Sequence, residues 1–477
     1  MNLELFKDLL QQKASFQYTT DQQVVIEKLH RLLFDKNERI LIIRGYAGTG
    51  KTSLIGSLIK SSQQIGRTFV LLAPTGRAAK VQTQHTKQIA YTIHKKIYKR
   101  TSDDDTFTKV ELQYNTHKNC IFIVDEASMI PDWQSGENQN SQSGRSLLDD
   151  LFAYVFSGFN CKLILMGDNA QLPPIGSNKS PALEKTYVES NWSFATQHVQ
   201  LREVVRQATD SSILLNATQL RLLLLQKEMP AKIPLSLDSD FIAITGYELE
   251  DTLNSAYSKY GAENVLVLCR SNKTANQYNQ QIRARIKWLE SDIAAGDYLM
   301  IVKNNYSWLP KESKIGFIAN GDIIQIERVS KQEEKYGLKF ANVVARFIDY
   351  ENEPEMEFKI ILDVLTSNNA SLEAEQQKKL YYAVLEDYMH ITSKKERLRA
   401  VKEDPYFNAL QVKFAYAITC HKSQGGQWKQ VFIDHGFLNP ENYNFEFIRW
   451  LYTAITRATE KVYLINFNQN YFELNDN

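Results

Sequence analysis

The segment Gly45–Thr52 constrains the fold of this chain more than any other part of the sequence. Its residues, GYAGTGKT, fit the pattern G-x-x-x-x-G-K-[ST], follow the apolar run Ile40–Ile43 and precede the helical stretch Thr52–Ile59. A strand, a glycine-rich turn and a helix in this order form a loop whose backbone N–H groups surround phosphate oxygens. A chance glycine turn beside a surface lysine would rarely have both flanks correct. The segment therefore predicts a nucleotide-binding α/β domain.

The residue types in this loop indicate which ligands it binds. Glycines let the backbone curl, Lys51 supplies a positive charge to the β- and γ-phosphates, and the Thr52 hydroxyl can ligate Mg²⁺. The sequence therefore predicts ATP and Mg²⁺ as cofactors. The predicted nucleotide-binding residues of the loop are Gly45, Gly48, Thr49, Gly50, Lys51 and Thr52.

Two carboxylates end the apolar run Ile121–Val124. Asp125 is placed to hold Mg²⁺, which prefers few carboxylates and several waters. Glu126 can orient and deprotonate an attacking water. Taken alone, the pair fits a solvated strand end equally well. Together with the phosphate-binding loop it predicts nucleotide hydrolysis, because the adjacent glutamate favours water over a small-molecule acceptor.

A third polar turn, Gly167–Pro174, follows the apolar run Leu163–Met166. If this strand lies beside the phosphate-binding loop, Gln171 can donate a hydrogen bond to the γ-phosphate. A plain Gly-Asp turn stiffened by two prolines is the alternative, and it would be favoured if the other motifs were missing.

Alternation of strand and helix extends over most of the 477 residues, a length that predicts two to four domains. Short apolar runs separated by helical stretches predict parallel sheets covered on both faces. The first sheet is predicted from Ile40–Ile43, Phe69–Leu72, Ile121–Val124 and Leu163–Met166. A second sheet is predicted from Val265–Leu268, Gln411–Tyr416, Val431–Asp434 and Lys461–Ile465.

Two insertions interrupt this pattern. Residues 95–118 carry the turn-prone Ser102–Asp105 between β-type residues, which predicts a small hairpin. Residues 296–410 begin with short alternating segments and turns such as Asn320–Asp322, which predict an antiparallel barrel. Their last part, Ser371–Glu403, is charged and predicted to be helical.

The net charge of +1 excludes binding of nucleic acid by the whole surface, but not by a local patch. Residues 77–100 contain seven Lys or Arg, two His and no acidic residue, which predicts a basic groove. A solvated helix face is the alternative. Four scattered cysteines, an N-terminus without an apolar core and no bilayer-length apolar run predict a cytoplasmic protein.

The order of the motifs resembles that of superfamily 1 helicases, specifically the RecD-like branch that includes the phage helicase Dda. The resemblance runs from about Tyr18 to Leu464. Beyond the three motifs already described, it rests on Tyr18–Gln22, Ala73–Ala79, Thr92–His94, Leu201–Gln207, Ala417–Gly425 and Tyr452–Ala458.

This resemblance implies two RecA-like P-loop domains in tandem, with a β-hairpin insertion and an SH3-like β-barrel insertion. The implied domains are 1–205 with its hairpin insert 95–118, 206–295 plus 411–477, and 296–410. Gln22 would contact adenine, whereas Arg206 and Arg457 would join Lys51, Asp125, Glu126 and Gln171 as catalytic residues. The implied DNA-binding residues are Pro74, Thr75, Arg77, Thr92, His94, Phe107, Thr419, His421 and Lys422, with Phe107 as a candidate wedge at the fork.

The implied function is an ATP-dependent DNA helicase that acts as a monomer on single-stranded DNA and its junctions with duplex. The 5′-to-3′ direction comes from the resemblance only. An RNA or RNA–DNA helicase remains open, because phosphate contacts do not distinguish the two sugars. A nucleotide-gated clamp would not need Glu126, and the length and basic run argue against a P-loop small-molecule kinase.

Overall fold

The computed structural model describes residues 1–100, 110–132, 146–203, 211–305, 307–309, 313, 318–348, 350 and 353–476, with the backbone alone at 100, 110 and 476. The chain divides into two compact units. Unit 1 comprises Met1–Ser236 and Glu441–Thr456, and unit 2 comprises Leu237–Pro440 and Arg457–Asn477. The predicted domain limits follow the positions of the motifs, whereas these two units are defined by their compactness. The predicted limits therefore stay predictions.

The first part of the chain, up to residue 237, contains helices and strands in near alternation. Its helices are α1 (Leu3–Lys13), α2 (Thr20–Phe34), α3 (Lys51–Lys60), α4 (Ser62–Ile65), α5 (Gly76–Thr86), α6 (Ile93–Ile97), α7 (Leu147–Ser157), α8 (Lys185–Trp192) and α9 (Ser212–Leu223). Its strands are β1 (Ile40–Gly45), β2 (Thr68–Ala73), β3 (Ala90–Thr92), β4 (Tyr98–Arg100), β5 (Val110–Leu112), β6 (Cys120–Val124), β7 (Lys162–Gly167), β8 (Thr196–Leu201) and β9 (Ile233–Leu237).

The remainder of the chain continues with further strands and helices. Its strands are β10 (Phe241–Ile244), β11 (Val265–Cys269), β12 (Tyr298–Ile301), β13 (Ile323–Lys335), β14 (Leu338–Phe347), β15 (Met356–Ile361), β16 (Leu410–Phe414), β17 (Ala417–Thr419), β18 (Trp428–Asp434), β19 (Ala458–Ile465) and β20 (Phe472–Asp476). Its helices are α10 (Leu249–Tyr260), α11 (Asn272–Gln281), α12 (Asp363–Thr366), α13 (Ala374–Asp387), α14 (Lys394–Glu403), α15 (Cys420–Ser423) and α16 (Phe445–Ile455).

A six-stranded parallel sheet forms the centre of unit 1, in the order β3-β2-β6-β7-β1-β8. Its four central strands, β2, β6, β7 and β1, are mostly apolar because both faces are covered. In β1, Ile40 and Ile42 pack on one face, with α6 and α7. Leu41 and Ile43 pack on the other, with α1, α2 and α3. The four predicted strands of the first sheet are confirmed.

A second parallel sheet lies in unit 2, in the order β10-β19-β18-β11-β17. The prediction that Gln411–Tyr416 is one of its strands was wrong. This segment contributes β16 to the barrel, where Leu410–Phe414 pairs with β12 and β15, and the sheet strand is β17. All five residues of β16 are buried. A fully buried run fits a barrel strand and a parallel strand equally well.

The predicted insertions are both present as β-structures. Strands β12 to β16 form a closed barrel, and the predicted turn at Asn320–Asp322 is built around Gly321, whose φ is +91°. The barrel is antiparallel as predicted except between β15 and β16, which pair in parallel. Strands β4 and β5 form the antiparallel hairpin of unit 1. Residues 101–109, which include Phe107, lie outside the described residues. The fold class predicted from the sequence is thereby confirmed.

The barrel is joined to the second sheet through a buried ion pair. The Arg283 guanidinium holds Asp297 through two bonds of 2.9 Å, and the Tyr416 hydroxyl donates to the same carboxylate at 3.1 Å. Their side chains are almost fully buried. Among the described helices, none is long and apolar enough to cross a membrane.

Replacing Asp297 with alanine should lower the free energy of unfolding by about 3–5 kcal/mol, because it leaves the Arg283 charge buried without its partner. Glu327→Ala is the matched control. It breaks the 2.6 Å pair with Arg346, whose side chains are half exposed, and should cost less than about 1 kcal/mol. Urea unfolding of the full chain measures both, and equal losses would contradict this account.

Candidate nucleotide site and nucleic-acid contacts

The glycine-rich loop connects β1 to α3 at the carboxyl edge of the first sheet. Gly48 and Gly50 adopt φ values of +76° and +75°, a region that side chains disfavour. These two residues turn the chain so that α3 starts at Lys51. The unpaired N–H groups of the first helical turn form an anion-binding position there. The structure thus places the predicted loop in the strand–turn–helix context that phosphate binding needs.

Lys51 and Thr49 are held by carbonyl groups of the loop itself. The Lys51 ammonium donates to the Gly45 carbonyl at 2.5 Å and to the Tyr46 carbonyl at 3.0 Å. The Thr49 hydroxyl donates to Tyr46 at 2.8 Å. A side chain at Gly45 would meet the Lys51 stem at 2.8 Å, so glycine is required for this arrangement.

Gln22, the predicted adenine contact, is fully buried and bonded to the loop. Its side-chain amide donates to the Thr49 carbonyl at 3.1 Å, and its side-chain oxygen accepts from the Thr19 N–H at 3.0 Å. Thr19 in turn caps α2 by accepting from the Gln22 N–H. Gln22 therefore fixes α2 against the phosphate-binding loop, and its contact with adenine stays a prediction.

The two acidic residues lie after β6, at the same edge of the sheet as the loop. Asp125 is half-buried, and this desolvation raises the pKa of its carboxyl, while the Lys51 charge and the Thr52 hydroxyl act in the opposite direction. The Glu126 N–H donates to the Asp125 carboxylate at 2.9 Å. Glu126 has a φ of +52°, an unusual value for a residue other than glycine. Thr52 and Asp125 thus form an all-oxygen pair of the kind that binds Mg²⁺ with several waters.

The turn after β7 packs tightly against the segment that follows Glu126. A Cβ on Gly167 would lie 2.9 Å from the Ser128 backbone nitrogen, so only glycine permits this approach. Gln171 is 5% exposed, and its side-chain oxygen has no partner among the described residues. The structure therefore brings Gln171 to the edge of the sheet that carries Lys51 and Asp125.

A tyrosine that the sequence analysis did not single out contacts both the loop and this turn. The Tyr452 hydroxyl accepts from the Ala47 N–H at 3.1 Å and donates to Asp168 at 2.5 Å. Tyr452 lies on α16, which belongs to unit 1. The one sequence feature that could have pointed to Tyr452 is its place at the start of the motif-like segment Tyr452–Ala458.

Of the two predicted phosphate-reaching arginines, only Arg457 lies within the described residues. Arg457 lies in unit 2, is 5% exposed, and donates to the Gly426 carbonyl at 3.3 Å. Arg206 lies outside the described residues. Their catalytic roles remain predictions.

The predicted DNA-contacting residues of unit 1 lie at the ends of neighbouring strands β2 and β3. Ala73 and Thr92 are paired in the sheet, which sets the two segments side by side. Thr75 and Thr92 each cap the following helix, accepting from Ala78 at 3.2 Å and Lys95 at 3.2 Å. Of the other predicted residues in this part, Pro74 and His94 are half-buried and Arg77 is buried.

In unit 2, Thr419 ends β17, and His421 and Lys422 lie on α15, all three half-buried. Burial lowers the pKa of Lys422. Burial, together with the charge of Lys422, lowers the pKa of Lys413 to about 8. Lys413 is a neighbouring cation that the sequence analysis missed, because it lies on an otherwise apolar strand. An anion beside these two lysines would favour their charged forms.

Two regions of the chain match known protein families. Residues 17–229 match the AAA domain family, and residues 414–465 match the UvrD-like helicase C-terminal domain family. These two regions contain the predicted nucleotide-binding residues and the segment Thr419–Lys422.

Full-length relatives align over nearly the whole chain. An uncharacterised protein of Acanthamoeba polyphaga mimivirus is 24% identical over 93% of this chain and 99% of its own length. The ATP-dependent DNA helicase Pif1 of Campylobacter jejuni is 24% identical over 90% of this chain and 89% of its own. A Pif1 helicase structure, solved to explain DNA unwinding at forked duplex DNA, matches the fold with a TM-score of 0.50. It shares 14% identity and covers 96% of this chain and 94% of the other.

Gly167→Ala should lower the turnover of ATP by about tenfold or more, because the added methyl group displaces the segment that carries Asp125 and Glu126. Gly56→Ala is a matched control within α3, where an added Cβ meets nothing within 4 Å. It should leave turnover unchanged and stabilise the helix by about 0.5–1 kcal/mol. Steady-state hydrolysis and thermal unfolding distinguish the two, and normal turnover in a folded Gly167→Ala protein would contradict the packing argument.

Proposed function

We infer that this chain, a superfamily 1B helicase of the Pif1/RecD-like group, is an ATP-dependent DNA helicase that translocates on single-stranded DNA and unwinds duplex. The observation that carries this inference is the convergence of Lys51, Thr52, Asp125 and Glu126 at one edge of the first sheet. A nucleotide-binding loop with an adjacent acidic pair provides the phosphate-binding, metal-binding and water-activating groups that hydrolysis needs.

Each residue of this site has a chemical role in the proposal. Lys51 binds the β- and γ-phosphates, and Gln22 reads the adenine ring. Thr52 and Asp125 would hold Mg²⁺, which neutralises developing phosphate charge when bound. Glu126 orients and deprotonates the attacking water. The side-chain nitrogen of Gln171 would donate to the γ-phosphate, a role supported by the position of this buried residue after β7, at the edge of the sheet that carries Lys51 and Asp125.

We propose further that hydrolysis depends on closure of the two RecA-like domains. Arg206 and Arg457 would each supply a positive charge to the transferring phosphoryl group, which makes closure a condition for reaction. The bond from Arg457 to the Gly426 carbonyl, at 3.3 Å, would help to orient this guanidinium.

Single-stranded DNA is the proposed track. Its phosphates would meet Pro74, Thr75, Arg77, Thr92 and His94 on the first domain, and Thr419, His421 and Lys422 on the second. Phe107, in the insert 95–118, is the proposed wedge at a junction. Alternating grip by the two domains would convert hydrolysis into steps in the 5′-to-3′ direction.

The predicted domain limits, 1–205, 206–295 plus 411–477, and 296–410, belong to the same proposal, as does action as a monomer. The special likeness to the phage helicase Dda within this group also remains a proposal.

Two substitutions separate nucleotide binding from hydrolysis. Lys51→Ala should abolish both ATP hydrolysis and unwinding, because the phosphates lose their main cation. Glu126→Gln should retain ATP and single-stranded DNA binding but lower turnover by about 100-fold or more, as expected for the loss of a general base. Nucleotide binding by fluorescence and steady-state hydrolysis with single-stranded DNA present measure the two effects.

Glu4→Gln is the control for the charge change, since Glu4 is exposed on α1. It should behave as the unsubstituted protein. Full hydrolysis by Lys51→Ala, or loss of DNA affinity with normal turnover in Glu126→Gln, would contradict the assigned roles.

A further inference from the structure

A buried tyrosine on α16 joins two elements of the candidate nucleotide site. Tyr452 is 1% exposed, and its hydroxyl lies 3.1 Å from the Ala47 nitrogen in the phosphate-binding loop. The same hydroxyl lies 2.5 Å from the carboxylate of Asp168, which is also 1% exposed. One atom therefore connects the loop after β1 to the turn after β7.

The direction of each hydrogen bond follows from the chemistry of the groups. Burial and the neighbouring Asp168 charge raise the pKa of Tyr452 well above its ordinary value, so the hydroxyl keeps its proton. It donates this proton to Asp168, and its oxygen accepts from the Ala47 N–H. The other oxygen of Asp168 accepts from the Ala170 N–H at 2.9 Å. Asp168 therefore links Tyr452 by hydrogen bonds to the turn that carries Gln171.

A second bond from α16 reaches the same turn. The Thr453 hydroxyl accepts from the Leu172 N–H at 2.9 Å. The residues on both sides of Gln171 are thus bonded, directly or through Asp168, to consecutive residues of one helix. That helix ends at Ile455, two residues before the predicted catalytic Arg457.

Tyr46, the loop residue directly before Ala47, is held by α9 and β8. The Arg221 guanidinium lies over the Tyr46 ring at 4.1 Å from its centroid, and Gln200 donates to the Tyr46 hydroxyl at 2.7 Å. Helices α9 and α16 pack against each other in unit 1. The first residues of the loop therefore depend on this helix pair for their position.

We propose that Tyr452 is a positioning residue for ATP hydrolysis, which holds the phosphate-binding loop and the turn carrying Gln171 in register with the helix that leads to Arg457. The proposal rests on the proposed function. Tyr452 acts through Ala47 and Asp168 rather than on the nucleotide, so its loss should affect turnover more than ATP affinity. A displacement of about 1 Å among reacting groups is enough to slow a reaction substantially.

A purely structural role for Tyr452 is the competing explanation, and the chain contains a matched control for it. Tyr416 in unit 2 has the same bonding pattern. Its hydroxyl accepts from the Tyr298 N–H at 3.3 Å and donates to Asp297 at 3.1 Å, and its side chain is fully buried. Substitution by phenylalanine removes the same pair of bonds at both positions.

The test compares Tyr452→Phe and Tyr416→Phe in the full chain. The measurements are kcat and KM for ATP with saturating single-stranded DNA, affinity for that DNA, and the thermal unfolding midpoint. Tyr452→Phe should lower kcat by about tenfold while KM and DNA affinity stay within about twofold. Tyr416→Phe should lower the thermal unfolding midpoint about as much as Tyr452→Phe does. It should nevertheless keep kcat within about twofold of the unsubstituted protein.

Asp168→Asn provides an independent variant, which also carries the test if Tyr452→Phe does not fold. An amide offers one acceptor oxygen where the carboxylate offers two, so Asp168→Asn should also lower kcat. Both substitutions break the same linkage, between Tyr452 and Asp168. The kcat of the double variant should therefore lie within about twofold of the kcat of the slower single variant.

Three results would overturn the proposal. They are a folded Tyr452→Phe or Asp168→Asn protein with unchanged kcat, a change confined to KM, and losses of kcat that multiply in the double variant. An unsubstituted chain that hydrolyses no ATP would overturn the proposed function together with this inference. An active chain with an equally active Tyr452→Phe variant would overturn the inference alone.

Discussion

The parallel pairing of β1 with β7 and β8 is the constraint on which the candidate site depends. Its register sets Arg44 opposite Gly167, so the phosphate-binding loop and the turn carrying Gln171 leave the sheet side by side. The pairing of β6 with β7 sets Val124 opposite Leu165, which places Asp125 at the same edge. A slip of one residue in either pair would turn every buried side chain to the opposite face. Burial on both faces of the sheet therefore fixes the geometry of the site.

Two buried polar side chains near this edge, those of Gln22 and Asp168, are hydrogen-bonded within the protein. Gln22 bonds to the Thr49 carbonyl, and the Asp168 carboxylate receives Ala170 and Tyr452. Buried polar groups are costly unless they are hydrogen-bonded, and a satisfied network makes one arrangement strongly preferred. Hydrogen bonds within the chain thus organise the site. Catalysis by electrostatic stabilisation needs this kind of organisation, since the groups need not reorganise during reaction.

The sequence predicted those parts of the molecule that depend on local pattern. Gly45–Thr52 and the apolar runs before Asp125 and Gly167 led directly to the loop, the acidic pair and the first sheet. Gln411–Tyr416 was placed in the wrong sheet, because a buried run does not record which strands it pairs with. Tyr452 was missed as a contact of the loop because its partners, Ala47 and Asp168, lie far from it in sequence. Long-range pairing of this kind is decided by packing rather than by spacing.

The central claim is that this arrangement drives movement along one strand of DNA, and strand displacement tests it most directly. Partial duplexes with a single-stranded 5′ or 3′ tail would be offered in DNA and in RNA, with ATP and Mg²⁺ and with Lys51→Ala as the inactive reference. The account predicts ATP-dependent release of the displaced strand from the 5′-tailed DNA substrate alone. Unwinding that required a 3′ tail, or that needed no ATP, would contradict it.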